Sequence, residues 1–113
     1  MIDAEKTKEL YARAVVTWGA EAQLHMVAEE CVELALEVLH YARGKGCSDQ
    51  VADEVADVEI MLGQLELMMR GVNEAFDEVV DAFKERKLQR VERMLDDWIG
   101  HKVGDIVESD EEP

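Results

Sequence analysis

Proline occurs once in 113 residues, at the last position, so no pyrrolidine ring removes a backbone donor inside any helix. Aromatic residues make up only 5% of the chain, and Ala, Leu, Val, Met and Glu dominate; no segment alternates convincingly between apolar and polar. That composition predicts an all-α protein. The two cysteines, Cys31 and Cys47, lack the spacing of a thiolate metal site and read as free thiols, Cys31 in the core and Cys47 in a loop. No apolar run approaches the roughly 18 residues that a membrane span requires, and the N-terminus carries no signal-peptide pattern, so the expectation is a cytoplasmic protein. Positive charge is scarce: 12 Lys and Arg stand against 27 Asp and Glu, a formal charge of −15. Such a chain repels nucleic acid and anionic membranes, which argues against binding to either. A small anionic ligand would need a metal ion or a few placed basic side chains.

What is present is helical periodicity. Residues 1–100 read as one domain and 101–113 as an acidic, disordered tail. A first helix is expected from Asp3 to about Thr17, with Leu10, Ala14 and Val15 inward and Trp18-Gly19 as its break. A second runs from Ala20 to Ala42, its inward stripe formed by Leu24, Val27, Cys31, Leu34, Ala35 and Val38. Beside that stripe lies a polar one of Gln23, Glu30, Glu33 and Glu37. The turn Arg43 to Cys47 leads to a third helix capped by Ser48 or Asp49 and running to about Arg70. This helix is apolar over most of its circumference, which predicts an oligomer interface using Ile60, Leu67 or Met68. The fourth helix is expected from about Asn73 to Trp98, with Phe76, Val79, Val80, Phe83 and Leu88 inward.

The chemistry concentrates between Met26 and Leu65. Glu30 and Glu33 lie three residues apart on one helix face, and so do Glu54 and Asp57 on the next helix. The 20-residue spacer, residues 34 to 53, is long enough to finish one helix, turn and begin another. Folded as a hairpin, the two helices bring four carboxylates to within about one turn of the same height. Four such groups repel one another unless a cation sits among them, and hard divalent ions take all-oxygen ligands. Asp53, Glu59, Glu66, Glu74, Glu78 and Glu85 read instead as a solvated face. A di-iron centre would need two Glu-x-x-His pairs, whereas only Glu37 and His40 supply one.

Glu30-x-x-Glu33, the spacer and Glu54-x-x-Asp57 resemble the signature of the all-α nucleoside triphosphate pyrophosphatases, in particular the small MazG-like branch. Trp18-Gly19 and Gln23 ahead of the acids, and Lys87-Leu88-Gln89-Arg90 on the fourth helix, agree with it. The resemblance spans about residues 15 to 95 and implies a four-helix bundle; the third helix, too apolar for one short chain to cover, predicts a homodimer or a dimer of dimers. The resemblance also implies Mg²⁺, or Mn²⁺ in its place, held by Glu30, Glu33, Glu54 and Asp57. The implied reaction cleaves a nucleoside triphosphate between the α- and β-phosphates, with Glu33 or Glu30 as the base and Glu29 as an alternative. Lys87 and Arg90 would contact phosphates, and Gln23 the sugar or base. Trp18 reads as a core residue first and a stacking platform second. The competing function class is a non-catalytic helical oligomerisation or regulatory module whose acids merely decorate its surface.

Overall fold

In the computed structural model the backbone is described for residues 1–111 and the side chains for residues 1–100. Four helices follow one another: α1 (Ala4–Trp18), α2 (Ala20–Ala42), α3 (Ser48–Val72) and α4 (Phe76–Glu111). No strand occurs among the described residues, and no described helix is long and apolar enough to cross a membrane.

Each boundary has a local cause. Asp3 caps α1 by accepting a hydrogen bond from the Lys6 backbone N–H at 2.8 Å. Gly19, at φ 91°, makes the break between α1 and α2 that few L-residues tolerate. Gly44 and Gly46, at φ 77° and 74°, turn the chain from α2 into α3. The cap of α3 is Cys47 rather than Ser48 or Asp49. Its backbone N–H donates to Gln50 Oε1 at 3.1 Å, so the glutamine three residues on satisfies a donor that the helix leaves free. The fourth helix does not stop near Trp98 but continues to Glu111. Gly100 and Gly104 weaken a helix by only about 1 kcal/mol each and remove no backbone donor. The side chains of the acidic segment 101–113 lie outside the described residues.

The chain forms two compact units, Met1–Phe76 and 77–113. In the first, α2 and α3 fold back on each other as an antiparallel hairpin and α1 packs against both. The packing is close where Tyr11 of α1 meets α3: a Cβ at Gly63 would run into the Tyr11 ring. Val27, Val58 and Met61 are the buried apolar residues, joined by buried Gln23 and Gln64. Leu10, Ala14 and Val15 are half-buried, as expected.

The inward face of α2 is not the apolar stripe read from the sequence. The side chains withdrawn from solvent are those at 23, 27, 30, 34 and 37, a seam in which Gln and Glu alternate with Val27 and Leu34. Leu24, Cys31, Ala35 and Val38 lie one residue, or about 100°, around the helix and are exposed. Both faces carry enough apolar surface to pack, but only the first gives Gln23 an amide partner across the hairpin. Val32, Leu36 and Leu39 extend the exposed apolar face of α2. On α3, Ile60 is 47% exposed while Leu67 and Met68 are half-buried. On α4, Val79, Val80, Phe83 and Leu88, expected to face inward, are exposed, and Phe76 is half-buried.

Candidate metal centre

The α2–α3 seam places the four expected acids together. Glu30, Glu33 and Glu54 present carboxylate oxygens that all lie within 4.8 Å of one another, and so do Asp53, Glu54 and Asp57. Glu54 belongs to both groups and is the hinge of the cluster. Glu30, Glu54 and Asp57 are half-buried on the seam, whereas Glu33 and Asp53 reach solvent. Asp53, read from the sequence as part of a solvated face, is therefore exposed and yet within the cluster. Its neighbour Glu54 carries it there. Glu59, Glu66, Glu74, Glu78 and Glu85 are exposed as expected.

Charges of one sign at these distances leave a physical signature. The Glu30 carboxyl is held above its ordinary value first by burial, then by the negative charges of Glu33 and Asp57, with a hydrogen bond to Glu33 and the charge of Glu54 adding to the shift. Glu54 is raised first by burial, then by Glu33, Asp57, Asp53 and Glu37. Glu30 Oε2 and Glu54 Oε2 are both buried without a hydrogen-bond partner. A buried carboxylate oxygen with no donor is costly, and a proton or a cation is what relieves it. An all-oxygen donor set with two orphaned atoms fits a hard divalent ion such as Mg²⁺ or Mn²⁺.

The other predicted residues are placed as follows. Glu33 lines an open groove of about 340 Å³ with Ala28, Glu29 and Val32, so the cluster has access to solvent on that side. A larger open groove, about 720 Å³, runs past Glu29 between Trp18, Glu21, His25 and Met26. Trp18 is 66% exposed and forms a wall of that groove rather than part of a core. Gln23 is only 4% exposed, and its Nε2 donates to Gln64 Oε1 at 2.6 Å. Gln64 escaped the sequence reading, although it is the lone uncharged polar residue in the apolar run from Ile60 to Leu65. Lys87 and Arg90 are exposed on α4, three residues apart and hence on one face of that helix. Cys31 and Cys47 are both free and exposed, so the expected core position of Cys31 is not found. His40 is exposed, and its Nδ1 sits 3.8 Å from Glu37 Oε2.

Compared with protein-family models, with curated proteins and with solved structures, the chain matches none.

The raised carboxyls fix the sign of a pH dependence. The folded state holds protons on Glu30 and Glu54 more tightly than the unfolded chain, whose glutamates titrate near their ordinary value of 4.5. Metal-free stability is therefore greatest below that value and falls as pH rises through the raised folded values. Urea unfolding in EDTA should show a falling midpoint between mildly acidic and neutral pH, and Glu54→Gln should flatten that slope. Saturating Mg²⁺ should flatten it in the wild type. A slope that is the same in wild type and Glu54→Gln would refute a charge-strained seam.

Proposed function

We propose that this protein is a Mg²⁺-dependent nucleoside triphosphate pyrophosphohydrolase of the MazG-like kind, built on the all-α pyrophosphatase bundle and acting on cytoplasmic nucleotide pools. One observation carries the reading: two three-carboxylate groups share Glu54 and leave two buried oxygens without partners.

Glu30, Glu33, Glu54 and Asp57 would hold Mg²⁺ (or Mn²⁺), with Asp53 beside them. Bound there, the ion supplies charge neutralisation for the triphosphate and polarisation of the phosphoryl oxygens. The chain's own part is to orient and deprotonate water. Glu33 is open to solvent and Glu30 has a raised pKa; both favour proton acceptance at this position. Water adds its oxygen to the α-phosphorus and gives its proton to Glu33 or Glu30, the first of these being the better reached by water. The bond from the α-phosphorus to the bridging oxygen breaks, and pyrophosphate leaves with that electron pair. The products are nucleoside monophosphate and pyrophosphate. In this reading Lys87 and Arg90 bind phosphates and Trp18 offers a face for the base. Gln23, buried and bonded to Gln64, takes no direct substrate contact.

Glu54→Gln and Asp57→Asn each remove one negative charge with little change of shape. Either should reduce pyrophosphate release from a panel of nucleoside triphosphates by at least ~10²-fold, the scale on which placed electrostatic groups act. The same panel should be silent in EDTA. A folded Asp57→Asn protein that turns over at the wild-type rate would overturn the proposal, as would wild-type turnover indifferent to EDTA.

The second reading, an oligomerisation or regulatory module without catalysis, is favoured by the exposed apolar side chains Val32, Leu36 and Leu39 on α2 and Val91, Leu95 and Trp98 on α4. Assembly is common to both readings. A first unit with three buried apolar residues buries little surface for its length, and exposed apolar faces of this kind mark association. We therefore assign a homodimer, or a dimer of dimers, that covers Ile60 and its neighbours on α3. Light scattering at micromolar concentration should give at least twice the 12.8 kDa of one chain; a mass of one chain would refute the assembly.

A further inference from the structure

The acid cluster depends on where α2 stands against α3, and the chain carries a device suited to setting that. Along the antiparallel hairpin the residue numbers of opposed polar positions add to one constant, 87: Gln23 with Gln64, Glu30 with Asp57, Glu33 with Glu54, and Glu37 with Gln50. All four pairings leave a physical trace. Gln23 Nε2 donates to Gln64 Oε1 at 2.6 Å. Glu30 feels the charge of Asp57, and Glu54 that of Glu33. Glu37 and Gln50 converge at the turn, since a Cβ built on Gly46 would meet Gln50 Oε1 at 2.6 Å and Glu37 Oε1 at 2.9 Å.

Within this seam almost nothing else is directional. Val27, Val58 and Met61 contribute apolar burial, which is proportional to area and carries no direction of its own. The acids push the helices apart or along each other. The Gln23–Gln64 bond joins the two helices by a buried, oriented contact, with both residues about 95% withdrawn from solvent. A slip by one helical turn would set Gln23 against Ile60 or Met68 and leave two buried amides without partners. A single buried polar pair that fixes register is a device known from paired helices.

We propose that the buried Gln23–Gln64 hydrogen bond locks the register of the α2–α3 hairpin, as a positioning pair that holds the four carboxylates in coordinating arrangement against their own repulsion. This inference rests on the cation-site reading above for its purpose, but not for its geometry.

The test uses the full-length protein and two readouts. In Gln23→Met/Gln64→Met both amides are replaced by unbranched apolar side chains of similar length, so no orphan is left. Without metal, the wild type should give one set of backbone amide resonances for α2 and α3, and the double variant more than one set. Mn²⁺ titrated by electron paramagnetic resonance should bind the double variant at least ~10-fold more weakly, the scale on which groups that orient metal ligands act. The single Gln64→Met variant carries the same readouts if the double variant does not fold. A double variant with one wild-type set of resonances and Mn²⁺ affinity within about twofold of wild type overturns the proposal. Wild-type protein that binds no Mn²⁺, alongside a double variant with several registers, upholds the lock and overturns the metal reading instead.

Discussion

Electrostatic repulsion across the α2–α3 seam is the constraint on which the rest of this structure turns. Five carboxylates, from Glu30, Glu33, Asp53, Glu54 and Asp57, crowd into two overlapping groups, and two of their buried oxygens have no partner. A helical hairpin selected only for stability would fill those positions with Leu and Val, since apolar residues of similar volume are commonly no worse than buried charge. The cost is offset here only if something positive occupies the layer. The turn glycines bring the two helices back on each other, and the Gln23–Gln64 bond, two turns from Glu30 and from Asp57, stands at the far end of the same seam.

Much of this was legible in the sequence because helices impose a period. The i, i+3 acids and the length of the spacer place Glu30, Glu33, Glu54 and Asp57 together without any knowledge of packing, and the structure brings those four side chains into one layer. The helix breaks at Gly19 and at Gly44 and Gly46 were readable for a related reason: a positive φ is a backbone demand that glycine meets. The seam itself was misjudged. Counting apolar residues selects Leu24, Cys31 and Val38, whereas the packed face carries Gln23, Glu30 and Glu37 between Val27 and Leu34. Periodicity reports which residues share a face, but not which of two competing faces a neighbouring helix will cover. Gln64 was missed for a similar reason: it gains significance only once Gln23 is known to lie across from it.

The face of α2 turned away from α3 extends the same logic. Val32, Leu36 and Leu39 are exposed, and so are Leu24 and Val38, which the sequence reading had turned inward. α2 thus carries an acidic seam toward α3 and an exposed apolar face away from it. On α4, Lys87 and Arg90 are exposed three residues apart on one face of the helix. The open groove that Glu33 lines gives the acid layer access to solvent on that side.

The central claim is that the acid layer exists to hold a divalent cation. Isothermal titration of the metal-free protein with Mg²⁺, in two buffers of different ionisation enthalpy and at a pH just above the ordinary carboxylate range, tests it most directly. Because Glu30 and Glu54 hold their protons more tightly than free glutamates do, binding should be saturable and should release protons, so the observed heat should differ between the buffers. Titrations showing no saturable binding heat in either buffer would contradict the account.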